Sequence, residues 1–587
     1  MQKRLLGIFG SLAILGAACG GASPSSVPAV STAPGTSVEA SVAPASKLAD
    51  KQILRYPLIQ DPATLDPNLA QDAQSTAVLV ALNRPLVYID KDLKIVPGLA
   101  KSWEISADAK TFTFHMRDAK YSNGDPIVAG DLVYGWKRLV DPRTAAPYSY
   151  VMGDVVGGPE LLAMAGAKPA PSDADIAAAL GKFGVAAPDD KTFVVKLHTP
   201  ATYFLSIVAM WVSVPIQEKW ITSPKATETG NYVSSGPFML ESWNHNAQIV
   251  LKPNPNWYGD VKPTLTEIDM PIFAELADAQ RAYEADEVDA VYPVPTEDIQ
   301  RIKGDPAFAD QYVETPTLGI AYYNFNNGND PTGRAKLKRC AASPKACPTA
   351  NKNFRIALSE AIDKQAFINA TFAGIGQVAN SFVMPGLPGY DETINPYPFN
   401  LDKAKQDMDK ALQELGYASA ADIPPLKFGF NTGAGHEPRV AFLAEAWRKA
   451  FGLKTEQIGS EFSVFLTQRT AGDYDISRNA WGADYPHANN QLDGLFTCGG
   501  GNNDQQWCNK DFDALIAQAA AEPDQDKQAE LYKQAQKIMM DDAPMLPLLY
   551  RTYPTLLKPW VSDAIVTSID HNNPGDNFPE TIKILKH

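Results

Sequence analysis

The segment Tyr474-Asp475-Ile476-Ser477-Arg478-Asn479-Ala480-Trp481-Gly482-Ala483-Asp484-Tyr485-Pro486 sets a cation and an anion around two small residues. If it is a strand, Arg478, Ala480 and Gly482 share one face, while Asn479 and Trp481 share the other. The small residues Ala480 and Gly482 let a second backbone approach. An added peptide strand needs that room. A free peptide is also a zwitterion, so it needs an anion at its ammonium end and a cation at its carboxylate end. Asp484 and Arg478 are the residue types for that recognition. Each also has a plainer use. Asp484 stands before a Tyr-Pro turn and could cap a turn or helix. Arg478 could form an internal ion pair, and Trp481 suits a core as well as a pocket wall.

Catalytic chemistry finds no comparable anchor. The sequence has no phosphate-binding P-loop, no Gly-x-Ser-x-Gly elbow and no His-Glu-x-x-His. Gly374-Ile-Gly376-Gln-Val-Ala379 mimics a dinucleotide fingerprint, but it follows a helical pattern at about 354–372 rather than a strand. His436-Glu437 alone is not a metal motif. Acid pairs such as Asp473 and Asp475 are common in a chain with net charge −15. No metal and no cofactor are implied. A secreted hydrolase stays as the enzymatic rival.

The chain has 587 residues, 45% of them apolar and 20% charged, which is globular composition with room for several domains. The acidic balance argues against nucleic acid as a partner. Residues 1–18 read as a signal peptide: Lys3 and Arg4, then an apolar run from Leu5 to Leu15, then small residues before Cys19. That arrangement resembles a bacterial lipobox, with Cys19 lipidated. Residues 19–47 form an Ala/Ser/Pro-rich tether with too little apolar surface to order itself. The expected location is therefore the outer face of the cell membrane. The longest later apolar run, Tyr203 to Ile216, suits a buried element better than a span. Export means an oxidising compartment. The remaining cysteines form two local pairs, Cys340 with Cys347 and Cys498 with Cys508, which fit two loop disulfides. A four-cysteine zinc site is the rival, though it lacks the short Cys-x2-Cys spacing.

Strand and helix patterns alternate along the rest. Thr111 to Met116 alternates with Phe112, Phe114 and Met116 on one face. Asp402 can cap a helix that carries Met408, Leu412 and Leu415 and stops at Gly416. Leu426, Phe428 and Phe430 mark a strand. A helix then starts near Pro438, carries Val440, Leu443, Trp447 and Phe451, and ends at Gly452. Asp473 to Trp481 is strand-like again, which gives a strand-helix-strand unit of an α/β fold.

Several separated segments resemble one family, the extracytoplasmic solute-binding proteins (family 5) of peptide ABC transporters, and among them the oligopeptide-binding proteins. They are Thr64-Leu65-Asp66-Pro67; Pro97 to Glu104; Thr111 to Arg117; Tyr121 to Pro126; Asp131 to Arg138; Asp141-Pro142; Ala146 to Tyr150; Ser235 to Phe238; Leu251 to Tyr258; Phe354 to Lys364; Leu557 to Val561; and Ile584 to His587. The likeness covers about residues 50–587.

The resemblance implies a two-lobe periplasmic-binding-protein-like fold with an extra subdomain, its discontinuous lobes joined by a hinge. Lobe I would comprise 48–85, 200–317 and 556–587, with the extra subdomain at 86–199, and lobe II 318–555. It implies a monomer, not an enzyme, that captures short peptides and delivers them to the permease and ATPase components of an ABC importer. A lipid on Cys19 would hold it to the membrane. By the same resemblance Asp484 would pair with the peptide α-ammonium, and Arg478 with the carboxylate of short peptides. His436, in the Asn431-Thr432…His436 turn, would meet the carboxylate of longer ones. Tyr148 would touch the ligand backbone, and Gln71, Asp72 and Ala73 would form a strand pairing with the peptide. Ala480, Trp481 and Gly482 would complete the backbone contacts and pocket wall. Two departures stand out. A cysteine pair of enteric relatives falls at Gly319 and Gly482, and a lysine used for the shortest ligands falls at Phe372. The alternative is the same fold holding a nickel chelate, haem, an opine or a sugar.

Overall fold

The alternation of Thr111–Met116 builds the middle of a four-stranded antiparallel sheet: Phe112, Phe114 and Met116 are buried, and the strand pairs with Ala100–Ile105 and Thr192–Lys196. The helix Ala129–Val140 covers this sheet, with Trp136 fully buried against Phe193 and Phe204 at ring distances of 5.0 and 5.9 Å. The computed structural model describes residues 47–587 apart from 166, 296, 330–343, 433–434 and 501. Residues 1–18, Cys19 and, but for Lys47, the tether lie outside the described residues, as does Cys340 of the expected Cys340–Cys347 pair. Cys498 and Cys508 are joined in a disulfide with Cα atoms 4.6 Å apart.

A second sheet orders Ile53–Arg55, Glu267–Pro271, Gln248–Pro253 and Phe238–Asn244. The Asp66 carboxylate of the opening motif takes a bidentate contact from Arg138, with Nη2 to Oδ2 at 2.6 Å, and so ties this region to the Ala129–Val140 helix.

The largest sheet runs in the order Ala290–Val291, Met545–Leu557, Tyr312–Phe325, Ile476–Gly482, Leu426–Asn431, Thr455–Ser460. Its two longest strands, Tyr312–Phe325 and Met545–Leu557, are antiparallel neighbours and contain the expected lobe boundaries 317/318 and 555/556. One of their two register shifts shapes the site. Pro316 faces Thr552 and Ile320 faces Tyr550, so residues 317–319 bulge opposite Arg551 alone.

A buried cation ties one motif segment into the fold. Arg355, on the helix Lys352–Glu360, donates to the carbonyls of Thr349, Ala350, Asp542 and Ala543 at 2.6–3.0 Å. Burial pushes it down to about 10. Two of those carbonyls close the C-terminal end of the helix Gln525–Asp542, where a cation is favoured.

Several local expectations shift. The helical pattern over 354–372 is two helices, Lys352–Glu360 and Lys364–Thr371, because Asp363 accepts the Ala366 N–H and starts a second one. The Leu401–Leu415 helix is capped by Asn400 rather than Asp402, and Gly416 closes it at φ 71°. The strand expected over 473–481 spans Ile476–Gly482. The strand Thr455–Ser460 and the helix Phe462–Thr470 precede it, and the chain then returns parallel to Leu426–Asn431. The run from Tyr203 to Ile216 breaks into the short helix Phe204–Val208 and one 3-10 turn.

Candidate functional site

The Ile476–Gly482 strand carries Arg478 and Ala480 into one cavity, together with Asn479 from between them, and Gly482 into the next. The larger cavity measures about 460 Å³. Gln71, Asp72, Ala73 and Tyr148 line one side; Gly319, Gly482, Asp484 and Arg551 line the other. Gly319 and Gly482 are register partners on adjacent strands, and a Cβ on Gly482 would meet nothing within 4 Å. The wall there is open backbone.

Asp484 is not a helix cap. The following helix, Ala488–Phe496, is capped by His487, whose Nδ1 accepts the Asn489 N–H at 3.1 Å. Asn490 instead fixes Asp484. Its Nδ2 donates to Asp484 Oδ2 at 3.1 Å, and its Oδ1 accepts both the Asp484 N–H at 3.1 Å and the Trp481 indole N–H at 2.9 Å. Trp481 is thus a supporting wall residue behind the cavity rather than a lining one. Tyr148 packs edge-on against Trp211 at 4.9 Å and lies 5.5 Å from Tyr150. Burial, and then the Asp484 charge, raise the hydroxyls of Tyr148 and Tyr150. Both therefore stay protonated donors. Among the described residues, no lysine, arginine or histidine lies within salt-bridge distance of Asp484.

Residues 71–73 depart from the expected strand. Asp72 is the N-cap of the helix Ala73–Leu82, and its carboxylate accepts from Ser75 N and Ser75 Oγ at 2.8 and 2.7 Å. A free helix end takes that carboxylate. Gln71, Asp72 and Ala73 still line the cavity.

Arg478 and His436 lie in the second cavity, of about 280 Å³, beside Arg439, Tyr323, Phe372 and Arg551. Arg478 Nε donates to Asn431 Oδ1 at 2.7 Å. Burial, with Arg469 and Arg439 nearby, pushes it down to about 10. It stays charged. His436 is pushed down to about 4 by burial and by Arg478 and Arg439, so its ring is neutral at physiological pH. Arg439 Nη1 lies 3.3 Å from His436 Nδ1. Since the guanidinium can only donate, the ring proton is assigned to Nε2. His436 therefore offers a neutral N–H, not a charge. Arg551, which lines both cavities, Arg439 and Asn490 were not among the residues singled out in the sequence. Each reaches the site through tertiary pairing rather than through a motif.

Residues 94–503 match the family described as bacterial extracellular solute-binding proteins, family 5 Middle. The chain belongs to this family. It is 32% identical to the oligopeptide-binding protein OppA of Bacillus subtilis (strain 168) over 538 residues, 90% of this chain and 92% of that one. The fold matches MppA, a periplasmic murein tripeptide binding protein, in its unliganded open form. The TM-score is 0.79 at 26% identity, over 92% of this chain and 99% of that one. It also matches Haemophilus influenzae OppA in complex with the peptide RPPGFSPFR, with a TM-score of 0.62 at 26% identity, over 92% of this chain and all of that one. Family 5 proteins bind solutes, and their fold has two lobes. No helix among the described residues is long and apolar enough to cross a membrane.

Proposed function

We propose that this protein captures short peptides outside the cytoplasmic membrane and hands them to the permease of an ABC importer, without chemistry. The observation that carries the reading is the polarity of one strand and its flanks. Asp484 stands at one end with no described cation against it, and the Arg478 cavity stands at the other, with open backbone at Gly482 between. A zwitterion with an extended backbone matches that order. Six residues at about 3.3 Å each place the two charges at most about 20 Å apart along the strand, so the ligand is at most about six extended residues long.

In this reading Asp484 takes the α-ammonium. Arg478 takes the carboxylate, and the neutral His436 adds a donor. Tyr148 and residues 71–73 approach from the opposite wall, with the Asp72 carboxylate committed to its helix. The lobes at 48–85 with 200–317 and 556–587, and at 318–555, close about the Tyr312–Phe325 and Met545–Leu557 strands, with 86–199 as an attached subdomain. The likeness to an unliganded open form supports an open state that awaits ligand. A lipid on Cys19 keeps the body, a monomer, at the outer membrane face. The relatives' names support the peptide reading over a chelate, haem, opine or sugar.

The test is isothermal titration of the purified protein with alanine tri-, tetra- and pentapeptides, each free, N-acetylated or C-amidated. Tight binding of free peptides, lost on blocking either end, is expected. Equal binding of blocked and free peptides would reject the end-charge reading.

A further inference from the structure

The second cavity gathers three guanidinium groups, and a ligand's terminal carboxylate accounts for one of them. Arg478 comes from the Ile476–Gly482 strand, Arg439 from the first turn of the helix Glu437–Phe451, and Arg551 from the Met545–Leu557 strand. Elements far apart in the chain thus send cations into one space of about 280 Å³. Among the described residues its lining holds no aspartate or glutamate. Arg439 stacks on Phe372 at 4.1 Å and donates to His436; Arg551 donates to the Tyr553 hydroxyl at 2.9 Å. Neither meets a carboxylate among the described residues within salt-bridge distance, Glu437 included. Like charges held together disfavour the charged forms, and Arg439 is depressed by burial and by Arg551. An anion relieves that repulsion.

The backbone delivers Arg551 to this place. Residues 317–319 bulge opposite it, and Thr317 Oγ1 donates to the Arg551 carbonyl at 3.0 Å. Gly319 leaves room for its stem: a Cβ there would stand 3.1 Å from Arg551 Cδ and 3.3 Å from Arg551 Cβ. Arg551 is exposed and lines both cavities, so its charge is within reach of a bound ligand.

We propose that this cavity selects peptides that bring a second carboxylate, an aspartate or glutamate side chain near the carboxyl end, which Arg551 and Arg439 hold while Arg478 holds the terminal carboxylate. The proposal rests on the peptide reading above and narrows its substrate class.

The experiment uses alanine tri-, tetra- and pentapeptides with glutamate at the last or the penultimate position. Each is titrated against its glutamine counterpart, which has the same shape without the charge. A charge-assisted hydrogen bond is worth about 1.5–3 kcal/mol, so the glutamate peptide should bind about ten- to hundredfold tighter at one position. Added salt should narrow the gap. Arg551→Gln should bring the ratio close to one. Arg439→Gln and Gly319→Ala, which crowds the Arg551 stem, should lower it independently, so one variant that fails to fold leaves the test intact. Equal binding of glutamate and glutamine peptides by the native protein overturns the proposal and leaves the peptide reading standing. A ratio unchanged in all the folded variants also overturns it. If none of the peptides binds, the peptide reading fails and takes this proposal with it.

Discussion

Asp484→Asn tests the ammonium contact because it keeps the size and removes the charge. Asn490 makes the outcome directional. Its Oδ1 is committed to the Trp481 indole at 2.9 Å and the Asp484 N–H at 3.1 Å, so its Nδ2 must face residue 484. The introduced side-chain amide must therefore turn its own oxygen toward Asn490 and its NH2 toward the ligand. A donor then meets the ligand's ammonium. Truncating one partner of a hydrogen-bonded charge pair costs about 2–5 kcal/mol. Asp484 is half-buried, which favours the lower end. About 2–3 kcal/mol corresponds to about 30- to 150-fold in Kd. Titration calorimetry with trialanine and N-acetyl-trialanine reads it. The native protein should lose comparable affinity on acetylation, and the variant should gain no further loss from it. Affinity within threefold of the native protein in Asp484→Asn, or acetylation without cost, would refute the reasoning.

Further outcomes follow from the same geometry. Asn490→Leu removes the support of Asp484 and leaves the indole N–H unpaired; about 1–3 kcal/mol is expected, or about 5- to 150-fold weaker peptide binding, with Asp484 still present. Reducing the Cys498–Cys508 bond, or replacing both cysteines with serine, should lower stability by about 2–3 kcal/mol in urea unfolding, since the bridge closes a short loop with a sequence separation of 10. Two opposed sets of groups shape the pH profile at mildly acidic pH, and the three histidines outweigh the two carboxyls. His436, His487 and His571 are each held down to about 4, chiefly by burial, so their contribution is full above about 6.5 and is lost as pH falls toward 4. Asp570 and Asp576 are both raised, chiefly by burial, so the fold keeps protons that the unfolded chain releases, and they add stability as pH falls toward the ordinary carboxylate range. Asp570→Asn removes part of the offset, so its melting temperature should fall more steeply than the native one between pH 6.5 and 5; parallel profiles would contradict the assignment.

Part of the candidate site is legible from residue type and spacing, while His436, Tyr148 and residues 71–73 enter only through the family resemblance. Strand alternation set Arg478, Ala480 and Gly482 on one face, and the structure takes them into two adjoining cavities with Asp484 beyond. What stayed hidden depends on partners brought in by tertiary pairing. Arg551 reads as an ordinary exposed strand residue until the 317–319 bulge aims it inward. Arg439 sits on a helix whose apolar face drew attention instead, and Asn490 becomes a support only once Trp481 and Asp484 meet across it. The error at residues 71–73 had a local signal, since Asp72 three residues before Ser75 is an N-cap pattern. The split of the 354–372 helix had one too, in Asp363 before Ala366.

The most direct measurement is native mass spectrometry of the protein as purified, followed by acid release and sequencing of whatever it holds. The account predicts short peptides of up to about six residues, varied in sequence, free at both ends and enriched in aspartate or glutamate near the carboxyl end. A single non-peptide compound would contradict it, and so would a protein that arrives empty and binds no added peptide.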